Sequence, residues 1–344
     1  GWDFSILSQS RQITVNFPLT RPSSTFFVGK VSNGNSLKSL LLNSDYVELN
    51  NKSIINNWEA LAVNLLYCVL KFWFMFDGKK ILVTGGTGSL GRSLTKRLLS
   101  YNTDSIRIYS RNENQQVKMQ SEFNDPRLRF LIGDVRDLNR LARAMEGIDI
   151  VFHAAALKHV PVVEYNPFEA VQTNILGSQN VINASLEENV EICVCIGTDK
   201  AVAPLNTYGA TKLLMEKLFV TAGNYLNPIR HKTKFIAVRY GNVLGSSGSV
   251  VLKIVEQIKS GKKITITDPN MTRFNITMNQ ALDLIERAAT TGKGGEVFIP
   301  KLLAYRLGDL KDVLLDLFES KNPTEIISVR PGEKFNESLL TIDE

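Results

Sequence analysis

The stretch Ile81-Leu82-Val83-Thr84-Gly85-Gly86-Thr87-Gly88-Ser89-Leu90-Gly91 joins an apolar run to a glycine-rich turn, and a helix-like segment, residues 93–99, follows it. A strand that enters a helix through such a turn offers backbone N–H groups and the positive end of the helix dipole to a pyrophosphate. The glycine spacing differs from the commoner G-x-G-x-x-G, so a glycine-rich loop without a nucleotide is the alternative. We predict a dinucleotide-binding turn made of Thr84, Gly85, Thr87, Gly88, Ser89, Leu90 and Gly91.

The composition is that of a soluble globular protein. The chain has 344 residues, enough for one large core or two modest ones. Its formal charge of +6 is spread along the chain without a dense Lys/Arg tract, which argues against nucleic-acid binding. Three cysteines and three histidines make neither a disulfide framework nor a zinc site, so we expect no bound metal. A reducing, cytoplasmic setting fits best.

Residues 1–74 differ from the rest, since they contain no methionine, are rich in Asn and Ser and lack sustained periodicity. Met75 stands just before the first predicted strand, so we expect residues 1–74 to be a non-native or disordered leader. The apolar segment 58–76 raises the alternative of an amphipathic helix or membrane anchor. Glu59, Asn64 and Lys71 interrupt that segment, and a spanning helix needs about 20 mostly apolar residues, so we predict no membrane association.

Strand and helix patterns alternate regularly from Lys79 onward. Predicted strands cover 81–84, 105–109, 128–132, 148–153, 191–196 and 235–239. The first predicted helix ends near 101, and the others cover 112–123, 138–145, about 167–188 and 208–224. This alternation predicts an α/β fold over residues 75–240, a doubly wound parallel sheet of the NAD(P)-binding Rossmann type with ligands at the carboxyl ends of its strands. Shorter, mixed elements predict a smaller, interleaved substrate-binding domain over residues 241–344.

The second predicted strand ends at Tyr109-Ser110-Arg111, where an NAD-binding enzyme usually places a carboxylate on the ribose 2′-hydroxyl. A hydroxyl and a guanidinium suit a 2′-phosphate instead, so Ser110 and Arg111 predict NADP as the cofactor. Glu113 lies close enough in sequence to keep NAD as the alternative.

Two further strand ends supply candidates for the same cofactor. Asp134 and Val135 follow the third strand, at a place suited to the adenine, and an aspartate that only caps the loop is the alternative. The fourth strand ends in His153, which we expect to be a packed strand-end residue rather than a catalyst. Three small side chains then let the backbone approach a flat cofactor, namely Ala154, Ala155 and Ala156.

The predicted catalytic residues follow the fifth strand, where Thr198, Asp199 and Lys200 precede Tyr208 and Lys212. The last two are four residues apart and lie on one helix face. A free tyrosine titrates near about 10, and an adjacent ammonium with a nicotinamide cation would lower that pKa toward use as a base. A lone Y-x-x-x-K is weak evidence, but with the glycine turn and a hydroxyl residue upstream it strongly indicates an active site. A solvated surface pair is the alternative for Asp199 and Lys200.

Nine segments of the chain match one family pattern together, namely 84–91, 109–111, 122–127, 133–137, 153–161, 198–201, 208–212, 239–243 and 330–334. On these motifs, residues 79–344 resemble the extended short-chain dehydrogenase/reductases. They are most similar to the inverting UDP-N-acetylglucosamine 4,6-dehydratases that start pseudaminic acid biosynthesis. Relatives that retain configuration, often membrane-anchored, tend to carry Met at the position of Tyr208, so this tyrosine favours the soluble inverting branch.

The resemblance implies a dehydration without net redox change. Tyr208 would deprotonate the sugar 4-hydroxyl while NADP takes hydride from C4, with Lys212 on the ribose and Thr198 bonded to the reacting oxygen. Lys200 would then remove the C5 proton, and Asp199 would protonate the departing 6-hydroxyl. Return of hydride to C6 and reprotonation of C5 from the opposite face give inversion, so NADP stays bound and is recycled.

By the same resemblance, the nucleotide-sugar pocket is lined by Lys158, Asn174, Arg239, Asn242, Thr265 and Glu333. Read from the sequence alone, Arg239 could equally be a structural ion-pair partner. The chain departs from the family pattern at Gly197, Ala203, Ser247, Asn275, Phe335 and Asn336, and it stops earlier than most relatives. Ser247 stands where the family has an arginine that contacts the diphosphate, so these departures bear chiefly on substrate identity.

Two other functions stay open at this stage. A nucleotide-sugar 4-epimerase, or a dehydratase acting on another nucleotide sugar, would use the same fold, although a 4-epimerase has no use for Asp199 and Lys200 as an acid–base pair. A catalytically silent NADP-binding scaffold is the alternative outside enzymes. The resemblance also implies a homo-oligomer, often a hexamer.

Overall fold

A computed structural model describes the backbone of residues 3–8 and 11–16, and residues 74–344 apart from 225, 228, 229, 247 and 331. Near the amino terminus, β1 (Asp3–Ser8) and β2 (Arg11–Asn16) pair as an antiparallel hairpin. The hairpin and the chain from residue 74 onward belong to separate compact units. Otherwise the predicted leader and the apolar segment before residue 74 lie outside the described residues.

Strands and helices alternate along the first part of the larger unit. Its elements are β3 (Lys80–Thr84), α1 (Ser89–Leu98), β4 (Ser105–Ser110), α2 (Glu113–Phe123), β5 (Leu128–Ile132), α3 (Leu138–Met145) and β6 (Ile150–His153). Next come α4 (Val160–Tyr165), α5 (Pro167–Ala170), a π-helical stretch (Val171–Leu176), α6 (Gly177–Glu187), β7 (Ile192–Ile196), a 3₁₀ turn (Asp199–Ala201), α7 (Thr207–Thr221) and β8 (Lys234–Val238).

The remaining elements are shorter and mixed. They are β9 (Asn242–Val243), α8 (Val250–Lys259), β10 (Ile264–Ile266), β11 (Thr272–Ile276), α9 (Met278–Thr291), β12 (Val297–Phe298), β13 (Ala304–Arg306), α10 (Leu307–Leu317) and β14 (Thr324–Ile326). None of the helices in the described part of the chain is both long enough and apolar enough to cross a bilayer.

A seven-stranded parallel sheet forms the centre of this unit, in the order β12-β8-β7-β6-β3-β4-β5. The strand order proceeds from β3 to β4 and β5 on one side, and β6, β7 and β8 follow on the other side of β3. The carboxyl ends of β3 and β6, where the order switches, therefore open a crevice suited to a ligand. Thr84 at the end of β3 faces Tyr109 on one side and His153 on the other. The sheet confirms the predicted doubly wound Rossmann-type fold.

Helices cover both faces of the sheet, which is why its central strands are apolar along their whole length. One face packs against α1 and α9, with Leu94 and Ile285 in its core. The other packs against α3, α6 and α7, with Leu141, Val181 and Phe219 in its core. The helices therefore hold the strand ends rigidly in place around the crevice.

Residues after Gly241 contribute to two layers. Val297 in β12 pairs with Ala237 in β8, and α9 packs on the sheet, so this part of the segment completes the large layer. The rest forms a three-stranded sheet, β13-β11-β9, and a parallel pair, β10-β14. A separate small core that includes Ile254 and Leu314 joins α8 to α10. Residues 241–344 are thus interleaved with the sheet.

Candidate active site

The glycine turn, residues 85–91, lines a cavity of about 920 Å³ at the carboxyl ends of the strands. Gly85 has φ +66°, and a Cβ atom there would come within 2.8 Å of the backbone of Ala155. At Gly91 a Cβ would come within 2.5 Å of Gly86 Cα. Helix α1 follows without a side-chain cap and without an acidic residue in its first turn. The turn therefore combines close backbone packing with an uncompensated positive helix end, which suits a diphosphate.

The predicted cofactor residues line this cavity, with one exception. Thr84 is buried behind the turn, where its hydroxyl lies 2.8 Å from His153 Nδ1. It supports the turn and does not line the cavity, and its predicted contact with the cofactor stays a prediction. The residues that do line it are Gly85, Thr87, Gly88, Ser89, Leu90, Gly91, Ser110, Arg111, Asp134, Val135, Ala154, Ala155, Ala156, Tyr208 and Lys212.

His153 belongs to a buried chain of hydrogen bonds. Its Nε2 atom lies 2.9 Å from Ser178 Oγ, and its ring stacks on Phe219 with 5.7 Å between centroids. Burial lowers the pKa of His153 to about 3, and the nearby Lys212 ammonium acts in the same direction. The imidazole is therefore neutral, and the prediction of a packed strand-end residue is confirmed.

Ser110 and Arg111 lie on the cavity wall where β4 ends. The Ser110 hydroxyl is held by Gln116 Nε2 at 3.0 Å and lies 3.2 Å from Thr87 Oγ1. The Arg111 side chain is about half exposed, and its Nη1 atom lies 3.7 Å from Asp134 Oδ2. These contacts present a fixed hydroxyl and an accessible guanidinium together.

Asp134 both lines the cavity and caps its own loop. Its carboxylate accepts hydrogen bonds from Arg136 N at 3.0 Å and from Arg136 Nη2 at 2.7 Å. Burial raises the pKa of this carboxyl, but the hydrogen bonds from Arg136 outweigh burial and lower the pKa below its usual value. Within the chain, Asp134 therefore makes the contacts expected of an aspartate that caps its loop.

Asp199 lies in the 3₁₀ turn after β7 and is fully buried. Its Oδ1 atom accepts hydrogen bonds from Lys200 Nζ at 3.1 Å and from Thr198 Oγ1 at 3.0 Å. Its Oδ2 atom has no hydrogen-bond partner among the described residues. Because an unpaired buried carboxylate oxygen is costly, this atom is suited to a partner that a ligand supplies.

Lys200 lies between three acceptors. Its Nζ atom is 3.1 Å from Asp199 Oδ1, 3.1 Å from Asn242 Oδ1 and 3.5 Å from Glu337 Oε1. Burial lowers the pKa of Lys200, but the two carboxylates outweigh burial, and the pKa is raised above its usual value. Lys200 is therefore an ammonium ion in this structure and must lose a proton before it can act as a base.

Tyr208 and Lys212 lie at the start of α7 and are both buried. Burial raises the pKa of Tyr208 above its usual value, and the Lys200 ammonium and a hydrogen bond with Thr198 only partly offset this rise. The Lys212 ammonium donates instead to Ile196 O at 2.5 Å, and burial lowers its pKa to about 8. The cation that acts toward the phenolate in this structure is Lys200, and the expected effect of Lys212 on the tyrosine pKa stays a prediction.

Four of the six predicted substrate residues line the same cavity, namely Lys158, Asn242, Thr265 and Glu333. Burial lowers the pKa of Lys158. Thr265 Oγ1 accepts a hydrogen bond from Lys253 Nζ at 2.7 Å, and Glu333 Oε1 lies 3.2 Å from Arg273 Nη2. The part of the cavity formed after β8 is therefore polar and charged. The departure at Ser247 lies outside the described residues.

Asn174 and Arg239 do not line the cavity, and their predicted substrate contacts stay predictions. Asn174 is buried in the π-helical stretch and bonds both backbone atoms of Leu157, at 2.8 Å and 3.0 Å. Arg239 is buried in an ion pair with Glu216 at 2.6 Å and a second with Glu344 at 2.7 Å. Arg239 is the structural ion-pair partner that its sequence position left open.

The cavity is also lined by residues that were not predicted from the sequence, among them Lys253, Arg273 and Glu337. Glu337 lies three residues after the segment 330–334, and the motif recognised there could have indicated that Glu337 is near the site. The same segment also binds the loop between Val202 and Asn206, called the catalytic loop below for its proposed role. Asn206 Nδ2 donates to Gly332 O at 2.8 Å, and the Lys334 ammonium donates to Val202 O.

Comparison with known proteins agrees with this geometry. The matching family model describes polysaccharide biosynthesis proteins and spans residues 81–344. An uncharacterized membrane protein of Methanocaldococcus jannaschii is 48% identical over 276 residues, covering 78% of this chain and 82% of that protein. An inverting UDP-N-acetylglucosamine 4,6-dehydratase of Campylobacter jejuni is 47% identical over 272 residues, covering 78% and 80%. A UDP-glucose 4-epimerase of Rickettsia massiliae is 43% identical over 274 residues, again covering 78% and 80%.

Solved structures agree as well. Pen from Bacillus thuringiensis superimposes with a TM-score of 0.76 at 44% identity, covering 78% of this chain and 85% of that one. DesIV, a dTDP-glucose 4,6-dehydratase from Streptomyces venezuelae solved with NAD, shares the fold with a TM-score of 0.69 at 22% identity, covering 76% and 88%. Fold and cavity together define a Rossmann-type α/β protein whose cavity, at the carboxyl ends of the parallel strands, is suited to a dinucleotide.

By its sequence, the chain belongs to the polysaccharide biosynthesis protein family. Its resemblance to the inverting UDP-N-acetylglucosamine 4,6-dehydratases is confirmed at 47% identity.

Proposed function

We propose that this chain is an NADP-dependent UDP-N-acetylglucosamine 4,6-dehydratase that inverts C5 and yields a UDP-4-keto-6-deoxy-N-acetylhexosamine. The observation that carries the proposal is the buried Asp199–Lys200 pair beside Tyr208, with one carboxylate oxygen left without a partner. A 4-epimerase needs the tyrosine, the lysine and a hydroxyl, but not a second acid–base pair. The identity of 47% to the Campylobacter jejuni dehydratase supports the same activity.

The residues present fit the cofactor. A Cβ atom at Gly85 or Gly91 would fill the space against the backbone, so the turn is a cradle that only glycine leaves open. The positive end of α1 suits the diphosphate, and Ser110 with Arg111 suits a 2′-phosphate, with NAD as the alternative through Glu113. When bound, NADP supplies reversible hydride storage, so the net reaction is redox-neutral.

Tyr208 is the residue that takes the proton of the 4-hydroxyl. Burial raises the pKa of Tyr208, and the Lys200 ammonium and a hydrogen bond with Thr198 act in the opposite direction, toward the phenolate. The positive nicotinamide ring of a bound cofactor would favour the phenolate further. A ketone at C4 then acidifies the C5 proton. Lys212, with its pKa lowered to about 8, lies one helical turn away and is assigned to the ribose by the family resemblance.

Asp199 and Lys200 then perform the elimination as a pair. Transfer of one proton from Lys200 Nζ to Asp199 Oδ1, across 3.1 Å, creates a neutral amine and a carboxylic acid in one step. The amine takes the C5 proton, the C5–H electrons form the C5–C6 double bond, and the acid protonates the 6-hydroxyl, which leaves as water. Lys200 ends as an ammonium and Asp199 as a carboxylate, so the starting charges are restored.

The test is incubation with UDP-N-acetylglucosamine in deuterated water, followed by proton NMR of the sugar. We expect a 4-keto-6-deoxy product with inverted C5 that carries solvent deuterium. Conversion to the 4-epimer without loss of water would favour an epimerase instead. Tight NADP binding without turnover would favour a silent scaffold.

Lys200→Ala sharpens this test. We expect dehydration to be abolished while bound NADP is retained, because Lys200 acts on C5 rather than on the nucleotide. Lys96→Ala on the exposed face of α1 is the matched control. Unchanged turnover in Lys200→Ala would overturn the assigned role. A homo-oligomer, a cytoplasmic location and pseudaminic acid as the end product remain predictions from the resemblance.

A further inference from the structure

A second carboxylate, that of Glu337, lies beside Lys200 and has no part in the mechanism above. Its backbone is anchored alongside β11, because Asn336 forms a parallel bridge with Thr272 and Glu337 N donates to Thr272 O at 3.4 Å. The side chain is buried. Strand β11 therefore fixes where this carboxylate lies.

Glu337 faces two ammonium groups. Its Oε1 atom lies 3.5 Å from Lys200 Nζ, and its Oε2 atom lies 3.7 Å from Lys334 Nζ. Within the described part of the chain, Oε2 has no hydrogen-bond partner. The Lys334 ammonium donates its hydrogen bond to Val202 O instead, so it fastens the catalytic loop rather than Glu337.

The mechanism explains why one ammonium needs two carboxylates. When Asp199 carries the proton, it no longer offers a charge to Lys200. Once Lys200 has taken the C5 proton, and before Asp199 has protonated the 6-hydroxyl, a buried ammonium stands next to a neutral acid. A buried unpaired charge is expensive, and Glu337 Oε1 at 3.5 Å is close enough to compensate it.

We propose that Glu337 is a positioning residue for Lys200, holding its ammonium in the cavity and supplying the counter-charge that remains while Asp199 is protonated. This inference rests on the proposed dehydratase function. The groups that face Lys200 are Asp199 in its own turn, Tyr208 in α7, Asn242 in β9, Tyr305 in β13 and Glu337 beside β11.

Glu337→Gln removes the charge and keeps the shape, and the first measurement needs no turnover. The pH dependence of acetic anhydride labelling at Lys200, followed by mass spectrometry, gives the titration midpoint of its amine. We expect the midpoint to fall by about one to two pH units, because an opposite charge within about 4–6 Å shifts a pKa by that order. Glu325→Gln, an exposed residue 3.9 Å from Lys263, removes the same formal charge and should leave the midpoint unchanged.

Turnover provides the second readout. We expect kcat for UDP-N-acetylglucosamine to fall about tenfold in Glu337→Gln, equivalent to about 1.4 kcal/mol in the barrier. KM and NADP retention should stay within about twofold, and the acid limb of the kcat profile should move to lower pH. Glu337→Asp keeps the charge farther away and should give an intermediate midpoint, which also serves if Glu337→Gln fails to fold.

The inference is overturned if the Lys200 midpoint is the same in wild type, Glu337→Gln and Glu337→Asp. It is also overturned if kcat and KM change together with the thermal midpoint, as a merely structural role would require. Failure of the proposed function has a different signature: wild-type protein would then give no dehydrated product, whereas the labelling result at Lys200 would still be measurable.

Discussion

The glycine turn and the acid–base cluster line one cavity but are built by different means. The glycine turn, residues 85–91, consists of consecutive residues, and its shape comes from the backbone, with Gly85 at φ +66° against Ala155. The acid–base cluster, defined here as Asp199, Lys200, Lys334 and Glu337, unites two distant segments through side-chain charges. Cofactor binding is thus encoded locally, whereas the proposed chemistry needs the completed fold.

Two lysines in the cavity show the same contrast at the level of single groups. Lys212 meets the carbonyl of Ile196, and burial lowers its pKa to about 8. Lys200 is partly buried, which would lower its pKa, but the Asp199 and Glu337 carboxylates outweigh burial and raise it. Burial alone therefore does not decide the protonation of a lysine here; the carboxylates brought by tertiary contacts do.

The largest expected effect is that of replacing Arg239, which tests whether this arginine contacts the substrate or only forms structural ion pairs. Arg239→Met should lower the free energy of unfolding by about 3–5 kcal/mol, because it leaves the buried Glu216 carboxylate unpaired. KM for UDP-N-acetylglucosamine should not change. Urea denaturation and NMR-monitored kinetics check this, with exposed Arg143→Met as the control. A raised KM with unchanged stability would instead place Arg239 with the substrate residues and break the comparison.

Gly85→Ala tests whether the turn acts through its backbone. The new Cβ would lie 2.8 Å from Ala155 atoms at a φ of +66°, so we expect NADP affinity to fall about a hundredfold. Gly147→Ala is a matched control, since Gly147 has φ +67° and a Cβ atom added there would meet nothing within 4 Å. Equilibrium binding of NADP to both variants separates backbone strain from steric overlap. Equal losses in both would mean that the close approach to Ala155 is unimportant.

Arg111→Ala has the smallest expected effect. Loss of one half-exposed guanidinium from a 2′-phosphate should weaken NADP binding about tenfold and leave NAD binding unchanged. Isothermal titration with each nucleotide measures the ratio, and exposed Arg129→Ala serves as the control. If both nucleotides lose affinity equally, Arg111 does not read the 2′-phosphate, and the choice of NADP over NAD fails with it.

Much of the fold could be predicted because its signals are local. The strand 128–132 and the helix 138–145 were placed at their observed ends, since apolar runs and Asp137, the residue that caps α3, are adjacent in sequence. The predicted helix 167–188 is interrupted by a π-helical stretch, within which Asn174 makes a tertiary contact with Leu157 that no local pattern indicates. Strands β9, β11 and β13 are short, and pairing with each other stabilises them more than their own composition does.

The site divides in the same way. Gly85, Ser110 and Ala155 were found because each follows a strand directly, and parallel strand ends share one edge. Glu337 was not found, because its partner Lys200 lies far away in the chain. For the same reason, the ion pair of Arg239 with Glu344 could be considered from the sequence only as an alternative. At Ala203, φ is +41°, a conformation in which the asparagine expected from the family is less strained. No local sequence pattern predicts a positive φ at this alanine.

The fastening of Gly332 and Lys334 across the loop between Val202 and Asn206 has a consequence for the order of synthesis. On the ribosome, the last strand of the parallel sheet, Val297–Phe298, emerges before either of these fasteners. Domains tend to fold from the amino terminus as they are made. A nascent chain can therefore complete its parallel sheet, with the glycine turn in place, while the loop between Val202 and Asn206 is still unfastened.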